Sequence, residues 1–168
     1  IDGLNIIPNG IYVDGTVGLG GHSEAIVQKL EFGKLFCFDL DKVAIRIAGE
    51  RLKAYKDKIV LINDDYKNVN RYLVMNGVEE IDGIILDLGI SSMQIDDASR
   101  GFSYMNDGHL DMRMDVGRDL TAFEVVNSYS YDDLVFLFRT YGEENYANRI
   151  AREIVRRREV KKIETTTE

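Results

Sequence analysis

The sequence lacks most of what would mark a membrane, secreted or metal-dependent protein. No apolar run approaches the ~18 residues of a membrane span. The opening IDGLNIIPNG has neither a basic region nor a small-residue cleavage site, so no signal peptide is legible. Cysteine occurs once, as Cys37 inside an apolar run. That excludes an internal disulfide and makes a reducing cytoplasm the expected location. The two histidines, His22 and His109, are widely separated from each other and from Cys37, so no metal-ligand spacing exists and no metal is expected. Positive charge is also short: 21 Lys and Arg against 29 Asp and Glu leave a net charge of −8. Such a balance argues against a protein that grips nucleic acid over its whole surface, while leaving room for a local basic face. What is present is an ordinary globular composition, 45% hydrophobic over 168 residues, enough for one substantial core.

The first half alternates short apolar runs with helical patterns. Strands are expected at 11–14 (IYVD), 34–39 (KLFCFD), 59–62 (IVLI) and 81–88 (IDGIILDL), with helices over 23–30, 42–55 and 66–76. Continuous apolar strands separated by helices predict a parallel sheet covered on both faces, an α/β doubly wound fold. Ligands of such sheets sit at the carboxyl ends of the strands. Residues 89–118 are rich in Asp, Ser, Gly and Met without a clear period. From Leu120 the pattern is helical: Thr121 and Glu124 form a capping-box pair, and helices are expected over 132–141 and 143–158. In the last of these, Ala147, Ile150, Ala151 and Ile154 share one side. Arg149, Arg152 and Arg156 fall within about 60° of one another on the opposite side, either a solvated face or a nucleic-acid contact. The chain lacks an initiator methionine and ends at TTTE, so it reads as a piece of a longer protein with further strands expected beyond residue 168.

Chemistry concentrates at strand ends. VDGTVGLGGHSEA places Gly15, Gly18, Gly20 and Gly21 between the first strand and its helix, where a backbone without Cβ atoms can approach a ligand. The Walker pattern is absent, and a dinucleotide fingerprint would put glycine where Ser23 stands. Asp39 ends the second strand and Asp41 follows; either acid at this distance from the glycines suits the hydroxyls of a ribose, and either could instead cap the next helix. Tyr66, past the third strand, could stack on a purine or simply fill the core. Asp87 ends the fourth strand before Gly89, Ser91 and Ser92, and no G-x-S-x-G marks a serine hydrolase.

Taken in order, GLGGHS, FDLD, DGIILDLGISSMQIDDASRGFSY, DGHLDMRMD, LTAFEVVN and YGEENYANRIAREIV resemble the bacterial ribosomal RNA small-subunit cytosine-N4-methyltransferase family over nearly the whole chain. The resemblance implies S-adenosylmethionine as cofactor and methyl transfer to a cytosine amine in the decoding region of 16S rRNA in the small ribosomal subunit. It implies a Rossmann-like class I methyltransferase sheet interrupted by a helical substrate-recognition insert. The cofactor domain would then occupy 1–104 and the start of the insert 105–168. The family's cofactor positions fall on Gly20, Gly21, His22, Asp39, Tyr66, Asp87 and Gln94, with Gly18 in the same loop. Tyr66 stands where phenylalanine is common, and Met93 where proline is common. Asp87 is the candidate for a direct catalytic role, the alternative being cofactor binding only, because the Asp/Asn-Pro-Pro-aromatic motif of related amino-methyltransferases is absent. Arg113 either touches RNA phosphate or organises its own loop, and Arg149, Arg152 and Arg156 become candidate RNA contacts. The competing readings are an NAD-dependent oxidoreductase and a cofactor-binding but inactive fragment.

Overall fold

The computed structural model describes residues 1–168, which divide into two compact units, Ile1–Gly89 and Ile90–Glu168. In the first unit, β1 (Ile11–Asp14), β2 (Lys34–Phe38), β3 (Ile59–Ile62) and β4 (Gly83–Ile85) form one sheet in the order β3-β2-β1-β4. All three pairings are parallel. The helices α1 (Gly21–Val27), α2 (Lys42–Arg51) and α3 (Val69–Met75) connect the strands.

Successive strand residues point to opposite faces, and both faces are apolar. Tyr12, Leu35 and Cys37 join Ile26, Val27 and Leu30 of the α1 region and Ala48 and Leu52 of the α2 region in one buried cluster. Val13, Phe36 and Phe38 join Ile62, Leu73 and Val78 in a second. The sheet is therefore doubly wound, as its unbroken apolar strands predict. The chain lays β2 and β3 to one side of β1 and then returns to lay β4 on the other. This reversal places the switch in strand order between β1 and β4, and ligands of such sheets sit at the carboxyl ends beside that switch.

The element boundaries depart from the sequence reading for local reasons. Helix α1 starts at Gly21 rather than Ser23, because Gly20 takes the left-handed conformation (φ 80°) at the cap and the Ser23 hydroxyl is occupied elsewhere. Strand β4 is shorter than 81–88: β1 turns away after Gly15, whose N–H donates to Ile85 O at 3.0 Å, so later residues have no backbone neighbour on that side.

The second unit holds α4 (Ser92–Asp96), α5 (Ala122–Ser128), α6 (Tyr131–Thr140) and α7 (Ala147–Arg158). Thr121 and Glu124 close the expected capping box on α5, and Ser91 and Gln94 close another on α4. Helix α7 begins at Ala147 rather than Glu143, because Glu143 adopts a positive φ of 49° and breaks the helical path. The boundary between the units, after Gly89, groups residues 90–104 with the helices that follow. No helix is long and apolar enough to cross a membrane.

Segment 98–118, which has no sequence period, is ordered by contacts between its own ends. Met112 N–H donates to Arg100 O at 2.9 Å, and the Arg100 guanidinium donates to the carbonyls of Arg113 and Met114. The last residues return antiparallel to it: Leu110 N–H donates to Glu164 O at 3.1 Å and Thr166 N–H to Gly108 O at 2.9 Å. Arg158 donates to the carbonyls of Val126 and Tyr129, satisfying the end of α5, where backbone acceptors have no helical partner.

Candidate functional site

The carboxyl ends of the four strands bring together the loop 15–20, Asp39, the turn 63–66 and Asp87, all within the first unit. The loop is shaped by glycine where the backbone demands it. Gly18 and Gly20 have φ of 50° and 80°, and a Cβ on Gly20 would lie 3.4 Å from Ala48 of α2. Gly15 sits under Tyr66 and Leu86: a Cβ there would overlap Leu86 and come within 3.1 Å of the Tyr66 Cβ. The loop is braced from outside by Arg51, which pairs with Glu24 at 2.8 Å and reaches Leu19 O at 3.4 Å.

The structure separates the two acids that the sequence left equivalent. Asp41 is buried and caps α2, accepting from Val43 N–H at 2.9 Å. Asp39 is half-buried and stands between two backbone donors: Oδ2 accepts from Gly18 N–H and Oδ1 from Asp41 N–H, each at 2.9 Å. One carboxylate thus ties the glycine loop to the end of β2, and each oxygen keeps acceptor capacity for a further donor. Asn63 adds a second tie, its side-chain amide donating to the carbonyls of Asp39 and Leu40. Asp64 fixes the adjoining turn through Asn68 at 3.0 Å and the Tyr72 hydroxyl at 2.9 Å. That turn presents Tyr66, a residue 37% exposed, as a candidate stacking surface.

Beyond the carboxyl ends of β1 and β4, the Asp87 side chain is 71% exposed and its Oδ2 lies 3.9 Å from His22 Nδ1 on the first turn of α1. Beneath them lies a group that sequence reasoning missed. Asp14, the last residue of β1, is 1% exposed, accepts from the Ser23 hydroxyl at 2.7 Å, and accepts from Thr16 N–H at 3.1 Å. The Ser23 oxygen also lies 3.3 Å from Cys37 Sγ. The signal was the acid itself, at the end of an apolar strand and directly before the glycine turn.

Burial holds the Asp14 carboxyl above its ordinary value of 3.8, against the lowering effect of the Ser23 and Thr16 hydrogen bonds. A raised folded value means that the folded protein binds the proton more tightly than the unfolded chain does. Its stabilising contribution is therefore complete below the unfolded value and is lost as pH rises through the folded value. Asp14→Asn, which has no proton to lose, gains stability relative to the parent across that window. Denaturant midpoints measured from pH 3.5 to 8 should show the difference growing and then levelling. A constant difference would mean that Asp14 does not titrate differently on folding. Burial also pushes the Cys37 thiol up to about 12, so it remains protonated and inert.

The remaining sequence candidates lie in the second unit. Gln94 is buried on α4, and its amide oxygen accepts from Ser91 N–H at 3.1 Å. Arg113 is committed to its own loop: it pairs with Asp111 through two nitrogens, at 3.0 and 2.6 Å, and donates to the carbonyls of Val116 and Arg118. These contacts are the ones a loop-organising role requires. Along α7, Ala147 and Ala151 are buried as expected, while Ile150 lines an open groove of about 620 Å³ with Leu110, Val126, Ile154 and Ile163. Arg149, Arg152 and Arg156 are all exposed, but Arg156 is held by Glu153 through two bonds of 2.9 and 2.6 Å. The groove is mainly apolar; the converging acids, glycine turn and exposed ring belong to the strand ends.

Compared with known families, residues 1–168 match the model of the MraW methylase family. A ribosomal RNA small subunit methyltransferase H of Exiguobacterium sibiricum is 51% identical over 168 residues, covering 100% of this chain and 54% of that protein. The protein of the same name from Streptococcus pyogenes is 52% identical over 171 residues, again covering 100% of this chain and 54% of its own. Among solved structures, an rRNA methylase from Streptococcus thermophilus is 28% identical, with a TM-score of 0.37 over 42% of this chain and 40% of that one. The chain spans about half the length of the curated relatives it matches.

Proposed function

The chain belongs to the MraW methylase family, and from that premise we propose that it takes part in transferring a methyl group from S-adenosylmethionine to the N4 amine of a cytosine in the decoding region of 16S rRNA. The observation that carries this reading is the set of groups at the strand ends: a glycine loop tied to Asp39, with Tyr66 and Asp87 on either side of Gly15 and Thr16. Those residues fit the cofactor. Gly18 and Gly20 leave a backbone surface clear of side chains, Asp39 has acceptors for two ribose hydroxyls, and the Tyr66 ring offers a face to adenine. Gln94 enters the set through the family resemblance alone.

When bound, S-adenosylmethionine supplies an electrophilic methyl group on a positively charged sulfur. The protein's work is orientation and exclusion of water. A cytosine amine is a poor nucleophile, its lone pair being delocalised into the ring, so it must be held in line with the methyl group at about 3 Å. Reaching it in a folded RNA requires the base to be unpaired or turned out. Asp87, exposed at the end of β4, is the acceptor available to hold the amine and take its proton, or to hold the cofactor. The buried Ser23 counts against the oxidoreductase reading: its hydroxyl is fixed to Asp14 at the position where a dinucleotide fingerprint has glycine for close helix packing.

The test is methyl transfer by the full-length protein from labelled S-adenosylmethionine to unmethylated small ribosomal subunits, with the product nucleoside identified by mass spectrometry. N4-methylcytidine in 16S rRNA is expected; label on another base, or on none, would refute the proposal.

The exposed arginines of α7 supply the salt-dependent part of RNA binding in this account. Arg149 and Arg152 contribute more than Arg156, which is paired with Glu153, a carboxylate it shares with Arg157. Replacing Arg149 and Arg152 with alanine should weaken RNA binding and lower the slope of log K against log salt by roughly 1.5, about two phosphate contacts' worth. An unchanged slope would make this helix face a solvated one.

A further inference from the structure

The β1–β4 ladder ends at a place that matters for the proposed chemistry. Its last backbone bond runs from Gly15 N–H to Ile85 O at 3.0 Å. Ile85 therefore faces β1, and with the two-residue period of a strand the N–H of Asp87 faces the same way. By then β1 has turned into the glycine loop and offers no carbonyl. The Thr16 hydroxyl oxygen takes that role, accepting from Asp87 N–H at 2.8 Å. Thr16 is itself held from behind. Its N–H donates to Asp14 Oδ1 at 3.1 Å, and Asp14 Oδ2 accepts from Ser23 of α1 at 2.7 Å, with Asp14 and Ser23 both buried. Ser23, Asp14, Thr16 and Asp87 thus form one connected series from α1 through β1 to the end of β4.

We propose that Thr16 is a positioning residue that sets the place of Asp87 through this hydrogen bond, a role that rests on the methyl-transfer reading in which Asp87 meets the cofactor or the amine. The bond replaces a missing rung of the sheet. It therefore fixes the Asp87 backbone relative to the glycine loop, on which the cofactor would lie. The Asp87 carboxylate is otherwise free to sweep, being 71% exposed with only His22 at 3.9 Å beside it. A shift of about 1 Å in such a group is enough to impair binding or reaction.

Thr16→Val keeps the branched shape and removes the acceptor, whereas Thr16→Ser keeps the oxygen. In the full-length protein, Thr16→Val should speed hydrogen exchange of the Asp87 amide about tenfold. It should also weaken S-adenosylmethionine binding roughly three- to tenfold, the net worth of one hydrogen bond. Thr16→Ser should restore both. In an Asp87→Ala background Thr16→Val should have no further effect on affinity, because the group it positions is gone. Effects of Thr16→Val and Asp87→Ala that multiply would overturn the proposal, as would unchanged Asp87 amide exchange in Thr16→Val or a Thr16→Ser no better than valine. A parent protein that binds no S-adenosylmethionine, while Thr16→Val still frees the Asp87 amide, would refute the methyl-transfer reading and reduce Thr16 to a cap on the strand end.

Discussion

Replacing Asp39 with alanine should raise the dissociation constant for S-adenosylmethionine about a hundredfold. Two losses combine. The first is direct: hydrogen bonds to a charged acceptor are each worth about 1.5–3 kcal/mol, and a ribose presents two hydroxyls to one carboxylate. Two bonds at the low end give about 3 kcal/mol, and each 1.4 kcal/mol is a factor of ten. The second is indirect, because Asp39 also holds Gly18 N–H at 2.9 Å and so keeps the loop closed on the strand end. Asp39→Asn separates the two in part: its amide oxygen still serves Gly18, but the charge is gone and the amide nitrogen replaces the oxygen that accepts from Asp41 N–H. Its loss should stay near tenfold. Calorimetric titration of both variants checks this, and a change of less than threefold in Asp39→Ala would remove Asp39 from the cofactor site.

A large loss of stability is expected at Gly101, where a positive φ and a backbone overlap coincide. Its φ is 69°, where a Cβ costs about 1–2 kcal/mol by itself. The added carbon would also overlap His109 O and lie 2.8 Å from Asp111 N. Both obstacles are backbone, and the same segment carries the Met112 N–H to Arg100 O bond and the Asp111–Arg113 pair, so nothing flexible can give way. Gly101→Ala should therefore cost on the order of 3 kcal/mol or more, a large share of the 5–15 kcal/mol that holds a typical domain together. Gly77 provides the control. It has nearly the same φ, 70°, with nothing within 4 Å of an added Cβ. Gly77→Ala should lose only the about 1–2 kcal/mol of the left-handed conformation. Denaturant unfolding of the two variants measures the contrast, and equal losses would show that the 98–112 segment can relax around a side chain.

How much of this was legible in the sequence depended on whether the cause was local. Ile59–Ile62 was readable to the residue, because an unbroken apolar run bounded by polar residues has few other uses in a doubly wound sheet. The Thr121–Glu124 cap was readable because its partners are three residues apart. The start of α1 was misplaced because Ser23 has the chemistry of a cap, yet its hydroxyl turns inward to a strand residue nine positions away. The extent of β4 was overread because its end is set by where β1 turns, 71 residues earlier in the chain. Segment 98–118 gave no period because side chains bonding to distant carbonyls hold it, and such bonds leave no repeat.

The candidate site follows the same division. Glycine loop and strand-end acids were visible because fold and chemistry require those residue types there. Which acid caps and which stays available was not, since Asp39 and Asp41 share one side of an extended chain; only Gly18 N–H and Val43 N–H distinguish them. Asp14 stands in plain view before the glycine turn, but its burial, and with it its role, shows only once Ser23 and Thr16 are seen around it.

The central claim is that the strand ends of the first unit form the S-adenosylmethionine site. Backbone amide shifts recorded during titration with S-adenosylmethionine, and separately with NAD, test it most directly. Saturable shifts are expected with S-adenosylmethionine, concentrated on Gly18 to His22, Asp39, Tyr66 and Asp87, and none with NAD. Shifts confined to the α7 groove, or saturation by NAD alone, would contradict it.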